Sequence, residues 1–410
     1  MLNDKLADVL SSLIAHGVCE DLKESWYYVD EPLHYQFYTR IYVGTALEQI
    51  ITGTAFTPET AHRKTIFEAV ERFCVSASLP TRLSSASEVS RFFPLARAPI
   101  LTDVLPHQVI RAIECDQLVG SAKSHDTVPV PVQLVTVPYT IPSDEPILRE
   151  PISTGTACGD TREDAILRGL LECIERDAVM LSFYGRQCVA QVDITADSEL
   201  WPIVDELARC RLRLIVADVS STDFCVKSFL VLLIDETEFG PALTAGAKAG
   251  VDPVAAIRGA IEEAVHIRAW LRDHLADRDG HFEQTETNEP ATVHSFLDRA
   301  RLWSRRSMLS HIDFYSTAPR RLLEEYTVTE AHRLPVLDDL KKDLLAMGAS
   351  AFVADLSSRF TWATDLSLYV VKVMVPTLQP LFIDESYRIL TGERFQQFRQ
   401  LYDSPTHFFL

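Results

Sequence analysis

The chain has 410 residues, of which 47% are hydrophobic and 24% are charged, and its formal net charge is −19. This composition is typical of a folded globular protein, and no apolar run reaches the ~20 residues of a membrane helix. The acidic excess argues against nucleic acid as the main ligand, because a phosphate backbone is bound by basic surfaces. It is compatible with a divalent cation or a basic partner. We therefore expect a cytoplasmic protein.

Taken in chain order, the sequence predicts helices interleaved with strands. Helices are predicted at 3–17, 58–74, 105–117, 161–181, 253–271, 294–308 and 332–347. Strands are predicted at 35–43, 214–219, 226–234 and 366–375. Residues 80–104 look irregular, residues 127–141 alternate Val with Pro as edge strands do, and residues 275–293 read as a surface loop. This pattern favours an α+β fold, and we expect one domain over 1–410, with parts 1–145 and 146–410.

Two segments, Thr52–Phe73 and Ser153–Asp177, share one pattern. Each has T-G-T-A, then a polar turn, then a helix that carries E-x-x-E-R, and the two cassettes lie 104 residues apart. The two glutamates and the arginine of each fall at i, i+3 and i+4, so they share one helix face. The repeat hints at an internal duplication and is the strongest functional signal in the sequence.

The cassettes have the chemistry of a cation site. Carboxylates are hard ligands suited to Mg²⁺ or Ca²⁺, and several that converge repel one another unless cations lie between them. The adjacent Arg72 and Arg176 could orient the carboxylates or hold a phosphate. The small residues before each helix would let a backbone approach a ligand closely. The sequence contains no Walker motif and no dinucleotide fingerprint, so a nucleotide site would be of another kind.

Simpler interpretations exist for each feature taken alone. One E-x-x-E-R helix is most often a solvated face with paired charges. His266 alone is more often structural, and Asp160 and Asp164 alone are acids that favour a helix N-terminus. The second copy of the cassette, and a third acidic helix that carries Glu262 and Glu263, favour a functional site. The eight cysteines contain no C-x-x-C pair, which argues against a zinc knuckle.

The cassettes and the segments around them resemble the YcaO family in order along nearly the whole chain. The family's first helix pattern, GKG followed by S-x-x-x-E-x-x-E-R, is matched by Gly53, Thr54, Ala55, Lys64, Glu68, Glu71 and Arg72. Its second, SNG-x-x-AGNT-x-x-EA followed by E-x-x-E-R, is matched by Ser153, Gly155, Gly159, Asp160, Thr161, Asp164, Glu172, Glu175 and Arg176. A third helix motif matches Glu263, His266 and Arg268, and V-P-G-x-x-P near the end matches 375–380.

The resemblance implies an enzyme that uses ATP and Mg²⁺ to phosphorylate, and so activate, backbone amides of a ribosomally made peptide. Azoline formation by cyclodehydration is the preferred reaction; thioamide or macroamidine formation and a catalytically decayed scaffold are alternatives. It implies metal ligation by Glu68, Glu71, Glu172, Glu175 and Asp164. It implies nucleotide contacts by Lys64, Glu68, Arg72, Asp160, Asp164, Arg176 and Arg268. It implies catalytic roles for Glu263, His266 and Arg268. A carboxylate-rich metal protein without nucleotide is a third reading.

The chain departs from the family pattern at several positions. Thr54 replaces the lysine of GKG, Lys64 replaces the serine and could restore the lost charge, and His266 replaces glutamine. The end, SPTHFFL, has one proline where azoline-forming members have PxPxP. We expect the partners to be a ribosomal precursor peptide and a separate leader-peptide-binding protein, together with a dehydrogenase in azole systems. We expect a homodimer or a hetero-complex, and no contact with nucleic acid or membrane.

Overall fold

The structure, a computed structural model, describes residues 4–25, 28–43, 47–77, 79–120, 127–237, 239–275, 293–326, 336–403 and 406–409. Its strands are β1 Lys23–Glu24, β2 Tyr35–Val43, β3 Leu47–Ala55, β4 Arg82–Ser85, β5 Val109–Val119, β6 Thr127–Pro131, β7 Thr156–Gly159, β8 Ala190–Asp193, β9 Leu212–Asp218, β10 Lys227–Asp235, β11 Leu243–Gly250, β12 Arg320–Leu322, β13 Ala351–Asp355 and β14 Tyr369–Met374. Its α-helices are α1 Asp4–Ala15, α2 Pro58–Val75, α3 Ala86–Val89, α4 Arg162–Gly185, α5 Trp201–Arg209, α6 Pro253–Leu275, α7 Phe296–Trp303, α8 Asp313–Ser316, α9 Val336–Ala346 and α10 Thr361–Asp365. Residues 276–292 of the predicted loop and 332–335 of the last predicted helix lie outside the described residues.

Local capping defines where the two cassette helices begin, as predicted. The Thr57 hydroxyl accepts from the backbone N–H of Thr60 at the start of α2, where Pro58 is the first helical residue. Thr161 likewise accepts from the N–H of Asp164 at the start of α4. The second helix continues to Gly185, beyond the predicted end near residue 181, because its last turns are buried on nearly every side.

Two predictions about local structure were wrong. Residues 105–117 do not form a helix: most of the segment is strand β5, which pairs with β4, β6 and β13. Buried and exposed side chains partly alternate along β5, as on a half-buried strand. The small residues 52–55 before the first cassette helix, expected to approach a ligand, lie in strand β3, and the similar segment 244–247 lies in strand β11. Their small residues serve helix packing instead.

Close helix–strand approach explains the glycines in these segments. A Cβ added to Gly53 would lie 2.4 Å from the backbone nitrogen of Thr65 in α2. One added to Gly246 would lie 2.2 Å from the carbonyl oxygen of Ala260 in α6. Any larger residue would therefore push the helix away from its strand.

The strands that the structure describes form three sheets. The first has the order β1-β2-β3, the second β4-β5-β13-β14-β7 with β6 also paired to β5, and the third β11-β10-β9-β8-β12. Helices α1 and α2 share one hydrophobic core with the second sheet, and the N-terminal half of α4 and α9 share another with it. Helices α5 and α6 share a core with the third sheet, and the C-terminal half of α4, α7 and the chain's last residues share another.

Helix α4 is thus shared by two sheets. At 24 residues it is about 36 Å long, which lets its first half pack on the second sheet and its second half on the third. The E-x-x-E-R cassette lies near its middle, where the packing passes from one sheet to the other. Among the described residues, no helix is both long and apolar enough to cross a membrane. The suggested internal duplication stays a prediction.

Candidate functional site

The free edge of strand β7 is covered by carboxylates from two helices. Within the described residues, strand β7 lies at the end of the second sheet, so one row of its backbone groups has no strand partner there. The N–H of Cys158 donates to Glu71 of α2 at 2.6 Å, and the N–H of Gly155, just before the strand, donates to Glu172 of α4 at 3.2 Å. A glutamate from each cassette therefore binds an amide of strand β7 or of the residue just before it.

The free edge of strand β11 is covered in the same way. This strand ends the third sheet, and its Ala249 N–H donates to Glu175 of α4 at 3.1 Å. Its Ala247 N–H donates to Glu263 of α6 at 2.8 Å. Helix α4 therefore supplies one cassette glutamate to each sheet edge, and the carboxylates of three helices are brought to one region.

Arg176 lies among these carboxylates. Its guanidinium nitrogens are 3.5 Å from both Glu175 and Glu263 and 3.7 Å from Glu172. The ring of Phe409 covers one face, with the guanidinium carbon 4.4 Å from the ring centroid. Burial lowers the pKa of Arg176, but the three carboxylates outweigh burial and raise it, so the side chain stays charged. We call Glu172, Glu175, Arg176 and Glu263 the Arg176 group.

Within the Arg176 group, burial disfavours the charged form of Glu175. It is 1% exposed, and burial raises its pKa to about 7 although Lys248 and Arg176 lower it. Its Oε1 atom and the Nε and Nη1 atoms of Arg176 are buried without a hydrogen-bond partner among the described residues. Buried polar atoms are seldom left unsatisfied in folded proteins, so the group fits a cation and an anionic oxygen that would supply the missing partners.

The α2 cassette holds a tighter pair. Arg72 donates to Glu68 at 2.6 Å, and this attraction lowers the pKa of Glu68 although burial opposes it. Burial and the neighbouring Glu68 raise the pKa of Glu71 well above its usual value. In the α2 cassette, therefore, Glu68 ionises readily and Glu71 does not.

His266 and Lys64 link strand β3 to helix α6. The Nδ1 atom of His266 is 2.8 Å from the Thr54 hydroxyl, and burial lowers the His266 pKa to about 4, so the ring is neutral at neutral pH. Lys64 donates to Glu262 at 2.5 Å and to the Thr54 carbonyl at 3.1 Å. The backbone N–H of Phe56 also donates to Glu262. In this structure Lys64 therefore neutralises a glutamate of α6.

Three other predicted residues have partners outside the Arg176 group. Arg268 is 3% exposed and donates to Glu31 at 2.7 Å and to Asp235 at 2.6 Å. Asp160 forms ion pairs with Lys5 at 2.8 Å and with Arg63 at 3.0 Å. Asp164 forms an ion pair with Arg168 at 2.9 Å. A phosphate contact by Arg268 would require its buried ion pairs to open. The nucleotide and metal roles of these residues stay predictions.

Two lysines lie near the carboxylates and were not among the site residues predicted from the sequence. Lys248 of β11 has its ammonium 3.9 Å from Glu175, and Lys372 of β14, 1% exposed, donates to the Ile152 carbonyl at 2.6 Å. Burial lowers the pKa of Lys372 to about 7, although Glu172 opposes that shift. Each is a single charge within a segment of apolar or small residues, and that signal could have identified both.

The carboxylates are not arranged as a finished metal site. Among the residues the structure describes, no three His, Cys, Asp or Glu side chains form a group that could hold a metal ion. The reason is geometric, since Glu71, Glu172, Glu175 and Glu263 each accept from a backbone N–H. Metal ligation would require some of these side chains to rotate from an amide to the ion.

Comparison with known proteins decides the family. Residues 52–379 match the family model described as YcaO cyclodehydratase, ATP- and Mg²⁺-binding. The chain belongs to the YcaO family. The matched range contains both cassettes and the Arg176 group. The cofactors of this family are ATP and Mg²⁺.

The YcaO protein also resembles individual relatives. An uncharacterized protein from Methanothermobacter thermautotrophicus is 26% identical over 277 residues, which cover 66% of each chain, just under two thirds. The YcaO from Methanopyrus kandleri bound with AMPPCP and Mg²⁺ has a TM-score of 0.67 at 18% identity, covering 95% of this chain and 94% of that one. These similarities support the α+β fold of the family.

Two further solved structures share the fold. A heterocyclase in complex with substrate and cofactor has a TM-score of 0.71 at 18% identity, covering 97% of this chain and 57% of that one. This YcaO protein therefore spans little more than half of the heterocyclase. The E. coli microcin synthetase McbBCD complex has a TM-score of 0.60 at 13% identity, covering 94% of this chain and 96% of that one.

Proposed function

We propose that this YcaO protein binds ATP and Mg²⁺ at the Arg176 group and activates backbone amides of a ribosomally made peptide. The observation that carries the proposal is the set of buried atoms on Glu175 and Arg176 that have no hydrogen-bond partner among the described residues. Glu175 Oε1 and Arg176 Nη1 form only an ion pair, at 3.5 Å. A buried carboxylate oxygen suits a cation, and a buried guanidinium suits a phosphate oxygen. Azoline formation by cyclodehydration is the reaction we propose, in the cytoplasm.

The proposed ligand set follows the family pattern. Mg²⁺ would be held by Glu68, Glu71, Glu172, Glu175 and Asp164. The nucleotide would be held by Lys64, Glu68, Arg72, Asp160, Asp164, Arg176 and Arg268. When bound, ATP would supply the phosphoryl group that makes an amide oxygen a good leaving group.

The chain's own residues would position the bound ligands and neutralise their charge. Arg176 is fixed by three carboxylates and by Phe409, so its orientation is set before any ligand arrives. Glu175, with a pKa of about 7, can hold or release a proton near neutral pH, although a bound cation would favour its ionised form. His266 is neutral, and its second ring nitrogen lies 3.5 Å from the Thr52 hydroxyl, a long hydrogen bond that a ligand could replace. Glu263 and Arg268 are proposed to act beside it.

The partners are part of the proposal. The McbBCD complex, solved also with pro-MccB17 bound, has a TM-score of 0.60 in that form as well. By analogy, we propose that this protein acts on a ribosomal precursor peptide together with a separate leader-binding protein, and with a dehydrogenase where azolines are oxidised. A homodimer or a hetero-complex would both suit this role.

A scaffold without catalytic activity is the second candidate. Two observations favour it: Thr54 replaces the family's lysine, and the carboxylates are turned to backbone amides. Thioamide and macroamidine formation remain alternatives within the enzymatic reading, because both begin with the same amide activation.

The deciding experiment is calorimetry followed by a product assay. The purified protein is titrated with ATP in the presence of Mg²⁺ and its partner, and then incubated with the precursor peptide. ATP binding, phosphate release and loss of one water per modified residue would support azoline or macroamidine formation, which peptide fragmentation distinguishes. Exchange of oxygen for sulfur would indicate a thioamide. Absence of ATP binding would contradict the enzymatic proposal and leave the scaffold.

A further inference from the structure

Lys248 is a second cation at the carboxylates, and it differs from Arg176 in how firmly it is held. Its side chain is 54% exposed, whereas that of Arg176 is 13% exposed. Its ammonium lies 3.9 Å from Glu175, beyond hydrogen-bond distance. Arg176 contacts three carboxylates and an aromatic ring, so it cannot leave without breaking all of these contacts. Lys248 can leave by rotating its own side chain.

The surroundings of Lys248 favour such a rotation. Its aliphatic stem lies along Gly259 of α6, where an added Cβ would be 3.4 Å from the lysine Cγ. Because glycine leaves this surface open, the stem has room on the helix. The backbone amides on either side of Lys248, those of Ala247 and Ala249, donate to Glu263 and Glu175, so the strand itself is fixed. A flexible cation therefore extends from a rigid strand.

Charge gives this cation its reason to stay near Glu175 when no other cation is present. Glu175 is the acid that acts most strongly on Lys248, followed by Glu263 and Glu172, and together they raise its pKa. The same three carboxylates would be expected to attract a divalent ion. An ammonium and Mg²⁺ compete for this negative charge, since two cations at one place repel each other.

We propose that Lys248 is a displaceable counter-cation of the Arg176 group, which neutralises Glu175 in the metal-free protein and moves away when a divalent cation binds. The inference rests on the proposed function only in taking these carboxylates as the cation site. Its consequence is that the ion must compete with a tethered ammonium. A divalent cation alone would therefore bind less tightly than the number of carboxylates suggests.

The test uses Mn²⁺ alone as the probe, with the full-length protein freed of metal. Free Mn²⁺ is followed by electron paramagnetic resonance during titration of the wild type, Lys248→Met and Lys248→Arg. We expect Lys248→Met to bind Mn²⁺ about tenfold more tightly, because one nearby positive charge is removed. Lys248→Arg keeps the charge and should stay near the wild type. Lys227→Met, on the neighbouring strand β10, is the matched control and should change nothing.

Each other outcome overturns the inference. Equal or weaker Mn²⁺ binding by Lys248→Met would show that Lys248 is not a competitor, and absence of Mn²⁺ binding in every variant would show that the carboxylates are not a cation site. Should Lys248→Met not fold, Lys248→Gln serves in the same comparison. Failure of the proposed function looks different: the wild type would bind Mn²⁺ with the expected ranking of variants, yet bind no ATP.

Discussion

The Thr54 hydroxyl and Nδ1 of His266 lie 2.8 Å apart and join two positions at which this chain departs from its family's pattern. The departure on strand β3 thus meets the departure on helix α6. Burial keeps His266 neutral, which suits a hydrogen bond with an uncharged threonine better than contact with a lysine. The two changes are therefore consistent with each other as a pair.

A double-mutant cycle measures this pair. Thr54→Val and His266→Ala are expected to destabilise the protein singly, and the coupling between them should be about 0.5–1.5 kcal/mol, the range of a neutral hydrogen bond. Unfolding in urea gives the four free energies. Additive effects would show that the hydrogen bond contributes nothing. Thr57→Ala with His266→Ala is the control, because the Thr57 hydroxyl caps α2 and should not couple with the ring.

Glu175 predicts a dependence of stability on pH in the metal-free protein. Its folded pKa of about 7 lies above the usual value of 4.5, so the folded state keeps a proton that the unfolded state releases between these values. The contribution of Glu175 to the free energy of unfolding should therefore be largest below about pH 4.5. It should fall by up to about 3 kcal/mol as the pH rises to 7.

The variant Glu175→Gln isolates this contribution. It cannot ionise, so the difference in unfolding free energy between it and the wild type should change in its favour by about 2 kcal/mol from pH 5 to pH 7. His266, whose pKa is lowered, contributes with the opposite sign, but it is common to both proteins and cancels. A difference that is independent of pH would contradict the raised pKa of Glu175. The measurement is urea unfolding in the presence of EDTA.

Glu71 separates the structural role of a cassette carboxylate from its proposed role in metal binding. Glu71→Gln keeps an oxygen that can accept from the Cys158 N–H, whereas Glu71→Ala leaves that donor without its partner. We expect the alanine variant to lose about 1–3 kcal/mol of stability and the glutamine variant to lose less. Both should lose Mg²⁺-dependent ATP binding, measured by calorimetry. Retained binding in the glutamine variant would remove Glu71 from the metal ligands.

Phe409 tests whether the orientation of Arg176 matters for ligand binding. Phe409→Leu removes the aromatic face from the guanidinium and should cost about 1–2 kcal/mol of stability. It should also weaken Mg²⁺–ATP binding several-fold. Phe408→Leu is the matched control, since Phe408 packs on Phe183 and Trp303 and should reduce stability without changing affinity. Equal effects on affinity would show that Phe409 acts only through general packing.

Arg268 can be tested for a structural role against its predicted contact with phosphate. Arg268→Met leaves Glu31 and Asp235 buried without this partner, which should cost about 3–5 kcal/mol of stability. If Arg268 also contacts the nucleotide, as proposed, ATP affinity per folded molecule should fall. Arg209→Met, at an exposed surface pair, is the control. Unchanged affinity in protein that is still folded would leave Arg268 with a structural role alone.

The sequence allowed the cassette helices and their shared faces to be predicted because both depend on local chemistry. Thr57 and Thr161 cap helices through contacts three residues away, and E-x-x-E-R places its charges on one face by helix geometry alone. Strand β5 was mistaken for a helix because its partners β4, β6 and β13 are distant in sequence or short.

The partners of the site residues could not be predicted for the same reason. Which strand ends a sheet depends on the whole topology, so the amides that Glu71 and Glu175 accept from are invisible in a single sequence. The partners of Arg268 lie 33 and 237 residues away. A motif indicates which side chains are charged, whereas only the fold shows which atoms neutralise them.

The glutamates at strands β7 and β11 also cover sheet edges at which two copies of the protein could otherwise pair. An uncovered sheet edge offers its amides to any other extended chain and invites aggregation. Here the carboxylates of Glu71, Glu172, Glu175 and Glu263 occupy amides at or beside those two edges. The proposed cation site and the covering of the sheet edges would therefore depend on the same four side chains, so a variant made to remove the first should also be checked for aggregation.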